Sequence, residues 1–156
     1  MTLAVSTYQW YLMVHILMAV VWVGGAHMIQ LFATRILKGG DPVRLAAFAK
    51  DVAWIGPRIF APATLLVLVF GFLLVEEADI GYPFWVVFGL VILLLSFFVG
   101  AFFLGPESGR IGKLVDERGA SDPDVQRRIR RIIVYARFEL LLLVLVVVDM
   151  VIKPFD

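Results

Sequence analysis

The sequence predicts an all-α polytopic membrane protein, a bundle of four transmembrane helices with one cytoplasmic amphipathic helix. Three observations point there. The chain has 156 residues, 62% of them hydrophobic, with a mean hydropathy of +0.94, above the roughly half-apolar make-up of soluble domains. Four stretches are long and apolar enough to cross a hydrocarbon core about 30 Å thick, and lipid admits no unpaired backbone, so each is expected to be helical. Thirteen of the fourteen basic residues, finally, lie in the segments on one side of those stretches. Residues 1–156 read as a single domain with spans at about 8–33, 58–76, 84–105 and 132–152.

The first span, YQWYLMVHILMAVVWVGGAHMIQLF, opens with Tyr8, Trp10 and Tyr11, aromatic rings of the kind that anchor at headgroup level. It is too long for a signal-peptide core and has no basic region ahead of it, so it reads as retained. The first connection carries Gly39-Gly40 and then Asp41-Pro42, an aspartate cap followed by proline at the first helical position. Leu45, Phe48, Val52 and Ile55 recur at helical spacing opposite Arg44 and Asp51 until Gly56-Pro57, which is expected to break the run. This amphipathic helix is expected on the inner surface or against the bundle.

Span two begins near Arg58, with Pro62 in its first turns, and span three begins at Tyr82 and Trp85. Span four follows Asp122-Pro123 with no break through Ile152, so it is expected to start as a basic helix outside the bilayer and continue into it, about 45 Å in all. A weak internal echo relates Val23-Gly24-Gly25, Asp41-Pro42 and Arg58 to Val99-Gly100-Ala101, Asp122-Pro123 and Arg137.

All of the fourteen Lys and Arg except Lys153 lie in or beside the connections between spans one and two and between three and four. The connection between spans two and three is acidic, with Glu76, Glu77 and Asp79. The positive-inside rule then places both termini on the outer side of a cytoplasmic membrane. Arg127, Arg128, Arg130 and Arg131 would meet anionic lipid headgroups, and topology accounts for the basic loop without nucleic acid.

With no cysteine, thiolate metal sites, iron–sulfur clusters and cysteine nucleophiles are excluded. Ionisable groups inside spans cost roughly 2.5–3.5 kcal/mol on insertion scales and so mark candidate sites. His15 lies about two turns below the outer surface on a face with Tyr8, Leu12, Met18, Ala19 and Trp22. A neutral imidazole there suits either a haem or copper ligand or a hydrogen bond to a neighbouring helix. His27 lies ~18 Å further along and roughly 120° around, so the two histidines do not share one metal. His27, Arg58 and Glu139 fall at similar depth and are expected to form an inner polar cluster, as structural glue or part of a proton path. Gly24 and Gly25 permit close approach of a helix or a flat cofactor, and Asp149 is expected to pair with Lys153 one turn beyond.

Trp10, His15, Trp22, Gly24 and Gly25 form a W-x4-H-x6-W-x-G-G pattern. It resembles the first helix of a group of small bacterial membrane proteins: the HemJ-type protoporphyrinogen oxidases, the membrane domain of CopD, and an uncharacterised integral-membrane family of similar length. The last is the closest in its D-P amphipathic loop, its GPRIFAPATLLVLVFG-like second span and its Trp-led third span. The HemJ resemblance implies haem b bound at His15; the leading expectation is a haem b-binding or redox-associated membrane protein with His15 as axial ligand and Trp22, Gly24 and Gly25 shaping the pocket. The chain has no Lys between Lys50 and Lys113, where those enzymes carry an essential one, so haem binding is what carries over rather than porphyrinogen oxidation. The CopD resemblance implies copper transport or tolerance through His15. The third expectation is a non-catalytic bundle with hydrogen-bonded histidines, and a small bundle of this kind is also a candidate homo-oligomer.

Overall fold

The computed structural model describes residues 6–154. They form four long helices: α1 (Thr7–Gly39), α2 (Pro42–Glu77) and α3 (Phe84–Arg118), each long and apolar enough to cross a membrane, and α4 (Pro123–Ile152). The apolar part of α4 differs from the other three in carrying Arg137, Glu139 and Asp149.

Local chemistry sets the helix ends. At the start of α1, Ser6 Oγ accepts from the Gln9 amide at 3.2 Å and Gln9 Oε1 accepts from the Ser6 amide at 2.9 Å, a reciprocal cap that satisfies two otherwise free donors. The two aspartate caps have matching geometry. Asp41 Oδ1 accepts from Val43 and Arg44 at 2.9 and 3.2 Å, and Asp122 Oδ1 accepts from Asp124 and Val125 at the same two distances. Gly40 (φ 69°) and Gly119 (φ 86°) precede those caps in the left-handed region that a Cβ disfavours.

Each of the first three helices runs further than its span requires. The run Pro42–Ile55 does not end at Gly56-Pro57: a π-helical turn over Gly56–Phe60 carries it directly into Ala61–Glu77. Proline lacks an N–H and its ring collides with the carbonyl four residues back; a wider turn absorbs both without breaking the helix. The same device at Gly100–Leu104 carries α3 past Gly105-Pro106 to Arg118, a helical extension that the glycines and proline of this stretch conceal in the sequence. A third π turn, Val20–Gly24, lies in α1. Counted from the helix ends remote from the basic connections, all three π turns lie roughly 20–30 Å along the bundle.

That level divides the core in two. On the basic side Ala33, Leu45, Ala46, Ile111, Val125, Ile129 and Ile133, drawn from all four helices, form one cluster. The amphipathic stretch expected after Asp41-Pro42 therefore packs into the bundle, with Leu45 and Ala46 buried and Phe48 against them. On the other side Trp22, Ala63, Val67, Leu93 and Leu143 form a second cluster and Val75, Trp85 and Val86 a third. Here α1 packs on α2 and α3 on α4, and the outward faces bear exposed Leu17, Phe72, Phe98 and Leu141.

Ion pairs hold the basic half together. Lys50 of α2 pairs with Asp116 of α3, and Arg128 of α4 pairs with Glu107 of α3 at 2.8 Å and with Asp124 at 3.2 Å. Gln126 adds hydrogen bonds to the carbonyls of Ala120 (2.7 Å) and Pro42 (3.3 Å).

Candidate functional site

His15 is half-buried between α1 and α2, with Nδ1 3.0 Å from the carbonyl oxygen of Val67. A carbonyl only accepts, so Nδ1 carries the proton and Nε2 of the neutral ring remains an acceptor. An edge of the ring lies against Gly71: a Cβ at that position would stand 3.1 Å from His15 Cε1 and 3.3 Å from Nδ1. Gly71 is thus the residue that admits the imidazole, one helical turn beyond the carbonyl it binds.

The other residues grouped with His15 in the sequence have different neighbours. Trp22 is buried in the cluster shared by all four helices, against Ala63, Val67, Leu93 and Leu143. Gly25 is where the Phe60 ring of α2 approaches, to 2.8 Å from an added Cβ, while Gly24 faces open space. The close approach that Gly25 permits is therefore used by a side chain of this chain.

The space beside Gly25 holds Phe60 and that beside Gly71 holds His15 itself, and two cavities of about 320 and 80 Å³ in the basic half are lined by neither His15 nor Trp22. For copper, no group of three or more His, Asp or Glu side chains converges among the described residues.

The expected cluster of His27, Arg58 and Glu139 does not form. His27 is on the exposed face of α1, and no hydrogen bond or ion pair joins it to the other two. Arg58 instead donates to the Trp54 carbonyl at 3.2 Å and stacks over the Trp54 ring, 4.6 Å from its centroid. Similar depth suggested one cluster, but His27 and Arg58 are exposed while Glu139 is only partly so. The polar group that α1 does bury on this side is Gln30, whose Nε2 donates to the Ile133 carbonyl at 3.3 Å and whose Oε1 is buried without a partner. Below it Thr34 donates to the Gln30 carbonyl (2.8 Å) and accepts from Arg137 (3.4 Å). A search confined to ionisable residues misses Gln30, although its i, i+4 spacing with Thr34 on an apolar helix is a legible signal.

Asp149 does not pair with Lys153. It is buried with Oδ2 unpartnered, and Lys153, in left-handed conformation at the helix end, lies over the Trp85 ring at 4.9 Å. The αL turn swings the lysine off the face that carries Asp149. Met150, at the same end, packs onto Gly89 of α3.

A family model, DUF2269, described as a predicted integral membrane protein, matches residues 10–154. No curated protein and no solved structure matches the chain.

Proposed function

The chain belongs to the DUF2269 family of predicted integral membrane proteins, and from that premise we propose that it is a structural membrane subunit: a four-span, non-catalytic bundle whose intramembrane histidine joins two helices. The observation that carries this reading is His15 itself, with Nδ1 bound to the Val67 carbonyl and its ring seated on Gly71. Interhelical hydrogen bonds of this kind are a standard means of association where lipid removes the hydrophobic drive between helices.

The fourth span is α4. Its Asp149 faces the interior, Leu140 and Leu143 are buried, and Phe138, Leu141, Leu145 and Val148 face outward as a lipid-facing surface requires. The basic connections support a topology with residues 40–41 and 119–122 in the cytoplasm and both termini outside a bacterial inner membrane. On this topology residues 42–55 belong to a cytoplasmic extension of the bundle. The chain has no cysteine, so single cysteines report sidedness cleanly: Ser121→Cys is expected to be shielded from an impermeant thiol reagent in intact cells and Ala78→Cys to react. The reverse pattern overturns the orientation.

Haem b or copper at His15 is the competing reading, and it separates by spectrum and composition. The detergent-purified protein is expected to show no Soret band, before or after haem titration, and no stoichiometric copper. A Soret band or bound copper that is lost in His15→Ala would replace the structural reading with a cofactor-binding one.

A further inference from the structure

Where α3 leaves its π turn and meets α4, a cavity of about 320 Å³ is lined at one end by Arg127 and Arg128 and at the other by Phe103, Ile132 and Tyr135, with Arg131 between. From Asp124 to Tyr135 it runs about 16 Å along α4, and its character changes on the way. The Tyr135 and Phe103 rings meet edge to face at 5.1 Å and form an apolar wall. Three guanidiniums stand against two carboxylates, those of Glu107 and Asp124, leaving an excess positive charge.

The carboxylates fix the guanidiniums more than they consume them. Arg127 gives one N–H to Asp124 at 2.6 Å, and Arg128 is held between Asp124 and Glu107. Arg131 is held by the Tyr135 hydroxyl at 3.1 and 3.3 Å. A guanidinium has five N–H donors in a rigid fork, so each of these three retains donors for an oxyanion.

We propose that this cavity is a binding site for one anionic glycerophospholipid from the leaflet at the basic end, its phosphate taken by Arg127 and Arg131 beside Arg128 and its glycerol and first acyl carbons laid along Phe103, Ile132 and Tyr135. The inference rests on the basic end of the bundle meeting a membrane surface, not on which side of the membrane that surface is, so it stands apart from the orientation test. A phosphate of any source suits the arginines; the apolar wall selects the lipid.

The test is native mass spectrometry of the full chain in detergent, titrated with phosphatidylglycerol, with phosphatidylcholine and separately with inorganic phosphate. Preferential binding of one phosphatidylglycerol is expected, falling about fivefold in Arg131→Gln and further in the double variant Arg127→Gln/Arg131→Gln. Arg130→Gln, a charge on the same helix turn that does not line the cavity, is expected to bind as the parent does. Arg131 is exposed and its side-chain hydrogen bonds go to the Tyr135 hydroxyl, so its variant is expected to fold; helix content by circular dichroism checks this. Equal loss in Arg130→Gln would reduce the site to diffuse surface charge. Inorganic phosphate binding with the same dependence on Arg127 and Arg131, without preference for phosphatidylglycerol, would assign it to a soluble phosphate. No preference among the lipids and no phosphate binding would overturn it outright.

Discussion

The imidazole of His15 on α1 and the backbone carbonyl of Val67 on α2 are joined at 3.0 Å, and the side chain absent at Gly71 makes the approach possible. In water such a bond would exchange with solvent at little net gain. Within a bilayer the alternative partner is another group of the protein, and measured interhelical bonds average about 0.6 kcal/mol with a maximum near 1.7. His15→Ala is therefore expected to lower stability by about 0.6–1.7 kcal/mol in a detergent-denaturation series, with helix content kept.

Gly71→Ala puts a methyl group 3.1 Å from the His15 ring, tighter than ordinary contact. It is expected to destabilise the parent by about 1–3 kcal/mol and to cost clearly less in a His15→Ala background, because the obstructing ring is gone. Additive losses in the double-mutant cycle would show that the two positions are not in contact.

Gly25→Ala meets the Phe60 ring at 2.8 Å. The expected loss is about 1–3 kcal/mol, relieved when Phe60 is changed to Leu. Gly24→Ala, one residue earlier and facing open space, is expected to be neutral or slightly stabilising through its better helix propensity. Comparison of the two variants in one unfolding series checks both.

Gln30→Leu is expected to be near neutral in the same series. It removes a long 3.3 Å bond to the Ile133 carbonyl, but it also removes a buried Oε1 that has no partner. A loss above about 2 kcal/mol would mean that Gln30 is a required polar contact between α1 and α4.

Asp124 provides the pH dependence. Hydrogen bonds from Arg127 and then Arg128 hold its carboxyl below the usual aspartate range. A depressed folded-state value means stabilisation that is fully present above the unfolded value of about 3.9 and is lost as pH falls through the folded one. Thermal unfolding of the parent is expected to weaken below about pH 4, and Asp124→Asn to flatten that part of the profile. An unchanged slope in the variant would exclude Asp124 as the source.

The sequence by itself determined the membrane character, three long apolar helices and the aspartate caps. Span length, aromatic anchors and the Asp-Pro pairs each act through a few neighbouring residues, and hydropathy needs no partner to be legible. The same local reasoning found His15 as a polar group that must be satisfied. It also stated, among its alternatives, the helix-to-helix hydrogen bond that the structure contains.

What only the tertiary structure decided was direction and continuity. Depth along a helix follows from counting, which suggested one level for His27, Arg58 and Glu139; facing depends on how each helix rotates in the bundle, and no hydrogen bond or ion pair among the described residues joins the three. Gly56-Pro57 and Gly105-Pro106 carry the chemistry of helix breaks, yet packing of Leu45, Ala46 and Ile111 into one core favours a widened turn over a chain reversal. Partners such as Gly71 for His15, Phe60 for Gly25 and Glu107 for Arg128 are distant along the chain. Their pairing is set by how the helices rotate against one another, which no local pattern encodes.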